Sequence, residues 1–329
     1  MNNMNNERAS TILNNAKGKT IAVIGDVMLD RYFWGSVTRI SPEAPVPVID
    51  VEKESVHLGG AANVAANLKS LGLETLLCGV IGNDNSGKSF VDVAAQRGIN
   101  PDGLFIDGNR PTTVKTRIIG NNQQIARIDR EVRENISSEG LTYILNNLNN
   151  INDLSGIILQ DYNKGTITKE LIQKVMDFSK LKDIPVYVDP KRDNFFLYKG
   201  VTVVKPNRKE AQQALGLALR NETEVISAGK KLLELLNCEN VLITLGAEGM
   251  MLFEKNGTIS SVPTKARHIA DVSGAGDTAI ATLSATISGG ANVQEASAMA
   301  NYASGIVCEK PGIVSIEIQE LLDSIRDNK

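Results

Sequence analysis

The stretch Asp271-Val272-Ser273-Gly274-Ala275-Gly276-Asp277-Thr278 brings glycines and a carboxylate to the start of a predicted helix. The apolar residues that follow it, Ala279, Ile280, Leu283 and Ile287, recur at roughly helical spacing. The first turn of a helix exposes unpaired N–H groups at the positive end of the helix dipole. Gly274 and Gly276 remove side chains that would hold an anion away from those groups. Such a nest can hold the charge that develops on a phosphoryl group during transfer. A carboxylate beside that anion is unfavourable unless it has work there. The work open to Asp277 is to accept a proton from an attacking hydroxyl. A plain Gly-rich turn capped by aspartate would use the same residues, so the rest of the chain must decide.

Other motifs bear on the same chemistry. Gly59-Gly60-Ala61-Ala62-Asn63-Val64-Ala65-Ala66-Asn67-Leu68-Lys69-Ser70-Leu71-Gly72 reads as a Gly-Gly turn and a helix that stops at Gly72. Packing explains the alanines but not Gly59 and Gly60 with Asn63 at a helix start. Asp26 and Asp30 end the first predicted strand, where capping of a loop is the alternative for Asp26. Asn207 and Glu210 have the spacing of a capping box at the start of a helix, which would account for the pair without any ligand. Thr244, Gly246 and Gly249 form a tight turn of the kind found in ordinary hairpins. Gly82-Asn83-Asp84-Asn85-Ser86-Gly87-Lys88-Ser89 matches the P-loop pattern and lies between a predicted strand and helix. Taken alone it would make the chain a nucleotide triphosphatase using Lys88. Against that, Asp84 would place a carboxylate in a cradle meant for phosphates.

Composition bounds the rest. The chain has 329 residues, 42% hydrophobic and 22% charged, enough for one large domain or two ordinary ones. The net charge of −3 offers no general attraction to nucleic acid or an anionic membrane. No apolar run approaches the roughly 18 residues of a membrane span. Residues 1–16 are Asn-rich, lack the apolar centre of a signal peptide, and are expected to form a frayed polar tail or loose helix before a domain spanning 17–329. Cys78, Cys238 and Cys308 lie far apart and read as small apolar residues in a reducing cytoplasm. His57 and His268 make neither a zinc site nor a histidine-based triad.

The elements that must position these residues are short apolar runs at 20–25, 75–81, 156–160, 185–189, 201–205 and 241–245. Helical patterns lie between them at 86–97, 167–179, 208–217 and 223–236. The alternation predicts an α/β fold of three layers with a mostly parallel central sheet. Ligands of such sheets bind beyond the carboxyl ends of the strands. Asp26, Asp161, Asp189 and Asn207 are therefore expected to line one crevice. Segments 31–57 and 112–129 alternate apolar and polar residues and are predicted to form a small antiparallel β lid that excludes water.

Residues 271–278 resemble the anion-hole signature of the ribokinase-like (PfkB) sugar kinases, and residues 59–72 resemble that family's other signature, in the same order. The resemblance extends over essentially the whole chain after about residue 17. It implies a ribokinase-like fold, ATP and Mg2+ as cofactors and, in some relatives, a monovalent cation supporting the anion hole. Asp277 would be the catalytic base, and Gly274, Ala275 and Gly276 would complete the anion hole. Asp30, Gly59, Gly60 and Asn63 would meet the sugar. Asn207 and Glu210 would organise magnesium and phosphates through water, and Thr244, Gly246 and Gly249 would lie along the nucleotide. Members carry Gly-x-Asp-x-x-Gly as a structural turn, which Gly82, Asp84 and Gly87 fit, leaving Lys88 a coincidence.

Within the family, residues 25–32, 39–48, 161–165 and 188–191 are similar to the heptose 7-phosphate kinases of ADP-heptose and lipopolysaccharide-core precursor synthesis. That branch transfers the ATP γ-phosphoryl group to the anomeric O1 of D-glycero-D-manno-heptose 7-phosphate, giving the β-1,7-bisphosphate. The distal phosphate of such a sugar needs fixed cations. Lys115, Arg117, Lys164, Lys191 and Arg192 are the candidates, with solvated surface residues as the alternative for each. Gln160 and Arg192 stand where smaller residues are expected. Bifunctional members continue into a nucleotidyltransferase domain with a His-x-Gly-His element; with His57 and His268 alone, the expectation is a kinase-only form. Phe33, Trp34, Val46 and Val48 are expected to expose apolar faces on the lid and to pair two lids in a homodimer. A kinase of another sugar phosphate is the alternative reading, and a P-loop enzyme the remote one.

Overall fold

Apolar runs rich in β-branched residues, buried on both faces, build a nine-stranded sheet in a computed structural model that describes residues 4–264 and 270–327. Its strands are β1 (Thr20–Gly25), β4 (Glu74–Gly82), β5 (Leu104–Asp107), β8 (Leu154–Gln160), β9 (Val186–Asp189), β10 (Val203–Val204), β11 (Asn240–Thr244), β12 (Met250–Glu254) and β13 (Ile259–Val262). They lie in the order β13-β12-β11-β10-β9-β8-β1-β4-β5. Pairings from β5 to β11 are parallel, while β11–β12 and β12–β13 are antiparallel.

Two buried clusters sandwich the sheet. One draws on α1 (Asn6–Ala16), α2 (Ala61–Ser70), α3 (Asn85–Gln96), α8 (Ala275–Ser288), α9 (Val293–Cys308) and α10 (Ile318–Asp327). The other draws on α4 (Ser138–Asn149), α5 (Lys169–Lys182), α6 (Arg208–Leu215) and α7 (Glu222–Leu236). The three-layer expectation therefore holds. Of the frayed tail or loose helix expected at residues 1–16, residues 6–16 form a helix, and it is packed: Asn5 caps α1 through the Arg8 amide at 2.7 Å, and Ala9, Ile12, Leu13 and Ala16 are buried. Their spacing is a narrow helical stripe that the surrounding asparagines conceal. His268 lies outside the described residues. Cys78, Cys238 and Cys308 are free thiols, and no helix among the described residues is long and apolar enough to cross a membrane.

The lid is a separate four-stranded sheet in the order β3-β2-β6-β7, with β2 (Val27–Ile40), β3 (Pro47–Gly60), β6 (Val114–Gly120) and β7 (Gln123–Arg130). Both hairpins are antiparallel as expected, but the central β2–β6 pair is parallel. The chain returns to the main sheet through α2, β4, α3 and β5 before entering β6, a crossover that brings β6 in alongside β2 in the same direction.

Candidate active site

The anion nest forms as its glycines require. Gly274 is the N-cap of α8 in the left-handed region (φ 81°), and no side chain caps the helix. A Cβ at Gly274 would also lie 2.8 Å from Asn63 Nδ2, so both backbone and space call for glycine. Helix geometry leaves the first-turn amides of Gly276 and Asp277 without intrahelical partners, while the Ala275 amide donates to the Val272 carbonyl at 3.3 Å. Alanine-rich α2 and α8 pack together, which carries Asn63 to Asp277. Asn63 Nδ2 donates to Asp277 Oδ2 at 2.9 Å, and Thr278 Oγ1 donates to Asn67 Oδ1 at 3.1 Å one turn further on.

Asp277 is 3% exposed. Besides Asn63, it accepts from Gln160 Nε2 at 2.9 Å and from Tyr162 Oη at 2.8 Å. Burial pushes its carboxyl up to about 7, with Asp189 adding to the rise and Asn63, Tyr162 and Lys205 opposing it. A buried carboxylate that titrates near neutrality at a helix N-terminus suits proton transfer.

Two adjoining cavities meet here. One, of about 520 Å3, is polar and lined by Asp189, Lys191, Lys205, Asn207, Glu210, Gly274, Gly276 and Asp277. The other, of about 160 Å3, is lined by Gly249, Met250, Ala279, Asn301, Ser304 and Cys308; Thr244, Gly246, Val272 and Gly276 line both. Lys205 is 2% exposed and pairs with Asp189 at 3.1 Å. Asn207 and Glu210 do form a capping box, each accepting from the other's backbone at 2.8 Å, and both still line the polar cavity. Lys191 pairs with Glu210 and lies 5.0 Å over the Tyr162 ring. Burial works against its ammonium, but Asp189, Glu210 and Asp277 outweigh this and raise its pKa.

The lid strands carry a cluster of their own. Asp30, 3% exposed, pairs with Arg117, whose guanidinium lies 5.2 Å from the Tyr32 ring centroid; Tyr32 stacks on Trp34. A side chain at Gly59 would overlap the Asp30 carboxylate, and Gly60 takes a positive φ of 59° where β3 turns into α2.

The candidate cations fall in separate places, and the single crevice expected of four residues divides as well. Lys191 stands on the wall of the polar cavity beside Glu210, apart from Lys115 and Lys164. Those two share Glu131, at 3.2 and 2.6 Å, with Lys115 also 3.2 Å from Asp129. Burial would raise the Glu131 carboxyl, but Lys164 and Lys115 outweigh it and hold it at about 2. Arg192 is exposed at the start of a short 3-10 helix. Of the four residues expected along one crevice, Asp189 and Asn207 line it. Asp26 instead accepts from the amides of Tyr162, Lys164 and Thr166 at 2.8–3.0 Å, and Asp161 accepts from Asn163, Asn194 and Tyr198. These buried carboxylates tie down the loop after β8, because backbone amides there have no other acceptor.

The P-loop lookalike is a capped turn. Asp84 accepts from the Gly87 amide at 2.8 Å and from Thr112 Oγ1 at 2.7 Å, so its side chain occupies the place a phosphate would need, and Lys88 is exposed. Lys88→Ala is expected to leave sugar-dependent turnover within about twofold of the unsubstituted protein, since an exposed side chain away from both cavities contributes little. A loss of a hundredfold or more in a coupled ADP assay would restore the triphosphatase reading.

Residue reasoning missed Tyr162 and Lys205 as neighbours of Asp277. Tyr162 follows a strand and Lys205 ends a predicted one, so position after a strand was the signal available. Gln160 stood out only as an oversized residue.

A buried carboxylate at an uncapped helix start, a polar cavity running into a second cleft, and a β lid define a ribokinase-like sugar kinase. The pfkB family carbohydrate kinase profile matches residues 19–319, and the chain belongs to that family. It is 40% identical over 323 residues to the bifunctional protein HldE of Geobacter sulfurreducens, a match covering 98% of this chain and 66% of that protein. The HldE of Desulfatibacillum aliphaticivorans is 42% identical over 308 residues, covering 93% of this chain and 63% of its own length. The chain thus spans just under two thirds of these curated relatives. In fold it is similar to Arabidopsis thaliana ribokinase complexed with ribose and ATP (TM-score 0.75, 20% identity, covering 94% of this chain and 99% of that one). It is likewise similar to Escherichia coli phosphofructokinase-2 in complex with fructose-6-phosphate (TM-score 0.77, 14% identity, covering 94% and 98%).

Proposed function

We propose that this chain transfers the γ-phosphoryl group of ATP to the anomeric O1 of D-glycero-D-manno-heptose 7-phosphate, as a step toward ADP-heptose. The observation that carries the reaction type is Asp277, buried at the uncapped start of α8 on the wall of the polar cavity. The runs shared with heptose 7-phosphate kinases carry the substrate. Asp277 takes the O1 proton, and the amides from Gly274 to Gly276 receive the charge of the transferring group. Asp30, Gly59 and Gly60 hold the sugar beneath the lid, with Asn63 holding Asp277. Arg117, Lys115 and Lys164 are the cations for the distal phosphate, released from Asp30 and Glu131 as it enters. Thr244, Gly246 and Gly249 border the smaller cavity, which suits an adenine.

Magnesium fits the oxygen donors of Asn207 and Glu210. The capping box and Lys191 already engage both side chains, so they suit a hydrated ion held through water better than a directly bound one. When bound, the ion would offset charge on the β- and γ-phosphates. Comparing turnover in potassium and in tetramethylammonium salts tests whether a monovalent cation supports the anion hole. Consumption of ATP and three free thiols favour a cytoplasmic setting. A homodimer through the lid is supported by exposed Ile40, Val46, Val51, Ile125 and Ile128, whereas Phe33, Trp34 and Val48 are half-buried.

ADP release from Mg-ATP, measured in parallel with no sugar, heptose 7-phosphate, fructose 6-phosphate and ribose, tests the reading. Release with heptose 7-phosphate alone is expected. Release with another sugar would keep the reaction type and replace the substrate, and equal release without sugar would overturn both.

A further inference from the structure

The three hydrogen bonds to Asp277 are divided unequally between its oxygens. Gln160 Nε2 at 2.9 Å and Tyr162 Oη at 2.8 Å both fall on Oδ1, whereas Oδ2 receives Asn63 Nδ2 at 2.9 Å. A carboxylate oxygen carries two in-plane lone pairs. Oδ1 therefore has both engaged, and Oδ2 keeps one.

Both donors on Oδ1 are themselves held. Gln160 sits opposite Asp189 in the β8–β9 register, and its Nε2 also reaches Asp189 Oδ2 at 3.1 Å. Only the NH2 end of the amide can satisfy two carboxylates at once, which settles the orientation of the group and leaves its buried Oε1 without a hydrogen-bond partner. Tyr162 has its amide bound to Asp26 and its ring under the Lys191 ammonium. Burial and the charge of Asp277 suppress ionisation of its hydroxyl, so it remains a donor.

We propose that Tyr162 and Gln160 are positioning residues that close Oδ1 of Asp277 and leave Oδ2 as the atom that accepts the proton of the attacking hydroxyl. The proposal rests on Asp277 being the base of phosphoryl transfer. In that step the hydroxyl O–H bond breaks with its proton passing to Oδ2. A new O–P bond forms, and the bond from the γ-phosphorus to the bridging oxygen breaks with its electron pair leaving on ADP.

The groups facing Asp277 are Tyr162 and Lys191 beyond β8 and β9, Asp189 at the end of β9, Lys205 after β10, and the neutral Asn63 and Gln160. Removing a donor from Oδ1 leaves their charges in place and weakens only the ionised form of Asp277. A hydrogen bond to an ionised group corresponds to about one to two pH units of proton affinity. Tyr162→Phe is therefore expected to move the midpoint of the kcat/KM–pH profile up by about one unit or more. For a one-unit move the loss would be about fivefold at pH 7 and would largely recover by pH 9.

The same upward move is expected in a 13C NMR titration of aspartate-labelled protein without substrate, with the Asp277 signal assigned by its loss in Asp277→Asn. Gln160→Ala removes the other donor from the same oxygen and provides an independent version of both measurements. Equal loss at every pH with an unmoved NMR midpoint would overturn the proposal. The NMR arm needs no sugar, so a wrong substrate and a wrong role for Tyr162 give different results.

Discussion

Asp277→Asn is expected to lower turnover about a thousandfold while the protein stays folded and still binds sugar phosphate. A positioned general base contributes about a hundredfold to ten-thousandfold, and the anion nest of α8 is untouched by the change. The unsubstituted enzyme should gain activity with rising pH, reach half its maximum near pH 7 and level off about one unit higher, because the carboxyl must be ionised to accept a proton and burial raises it to about 7.

The same shift has a stability consequence. The folded carboxyl holds a proton that the unfolded chain loses near the ordinary aspartate value of 3.8. Stability from this group is thus fully present below about pH 4 and is lost as pH rises toward 7, at up to about 1.4 kcal/mol per pH unit. Across that window Asp277→Asn should gain stability relative to the unsubstituted protein, read as a widening difference in urea midpoints. Parallel midpoints from pH 4 to 8 would show that Asp277 is not held near neutrality. Turnover within tenfold of normal, with a normal melting curve, would remove it as the base.

Lys205→Met should have the second-largest effect, because it breaks a buried pair. Lys205 and Asp189 are 2% and 5% exposed and 3.1 Å apart. Removing one member strands the other charge, which costs about 3–5 kcal/mol. Turnover should fall as well, since Lys205 lines the polar cavity and a Cβ at Gly276 would lie 3.5 Å from its Nζ. The double variant Lys205→Met/Asp189→Asn should recover most of the stability but little of the activity. This separates the cost of a stranded carboxylate from the loss of a cation in the cavity. If the double variant is no more stable than the single one, the pair is not the source of the loss.

The strand–helix alternation, the lid segments and the Gly-Gly and Gly-x-Gly-Asp turns are legible in the residues alone. Each of these rests on local physics. Glycine permits the positive φ of Gly274, a small polar residue caps α6, and apolar periodicity marks which segments are buried. Contiguous residues encode such features, so they can be read before folding. The tertiary structure alone decided which carboxylates face the cavity and which are tied to backbone amides. Asp26 and Asp161 end strands just as Asp189 does, yet they turn inward to a loop that β1 and β8 bring together. It also decided the donors around Asp277, because α2, β8 and α8 meet only once the sheet order places β8 beside β1 and β9 and α8 packs across them. Residues 6–16 mark the boundary between the two: the stripe of Ala9, Ile12, Leu13 and Ala16 is present in the sequence, but it has meaning only against α8 and α10, which arrive at the other end of the chain.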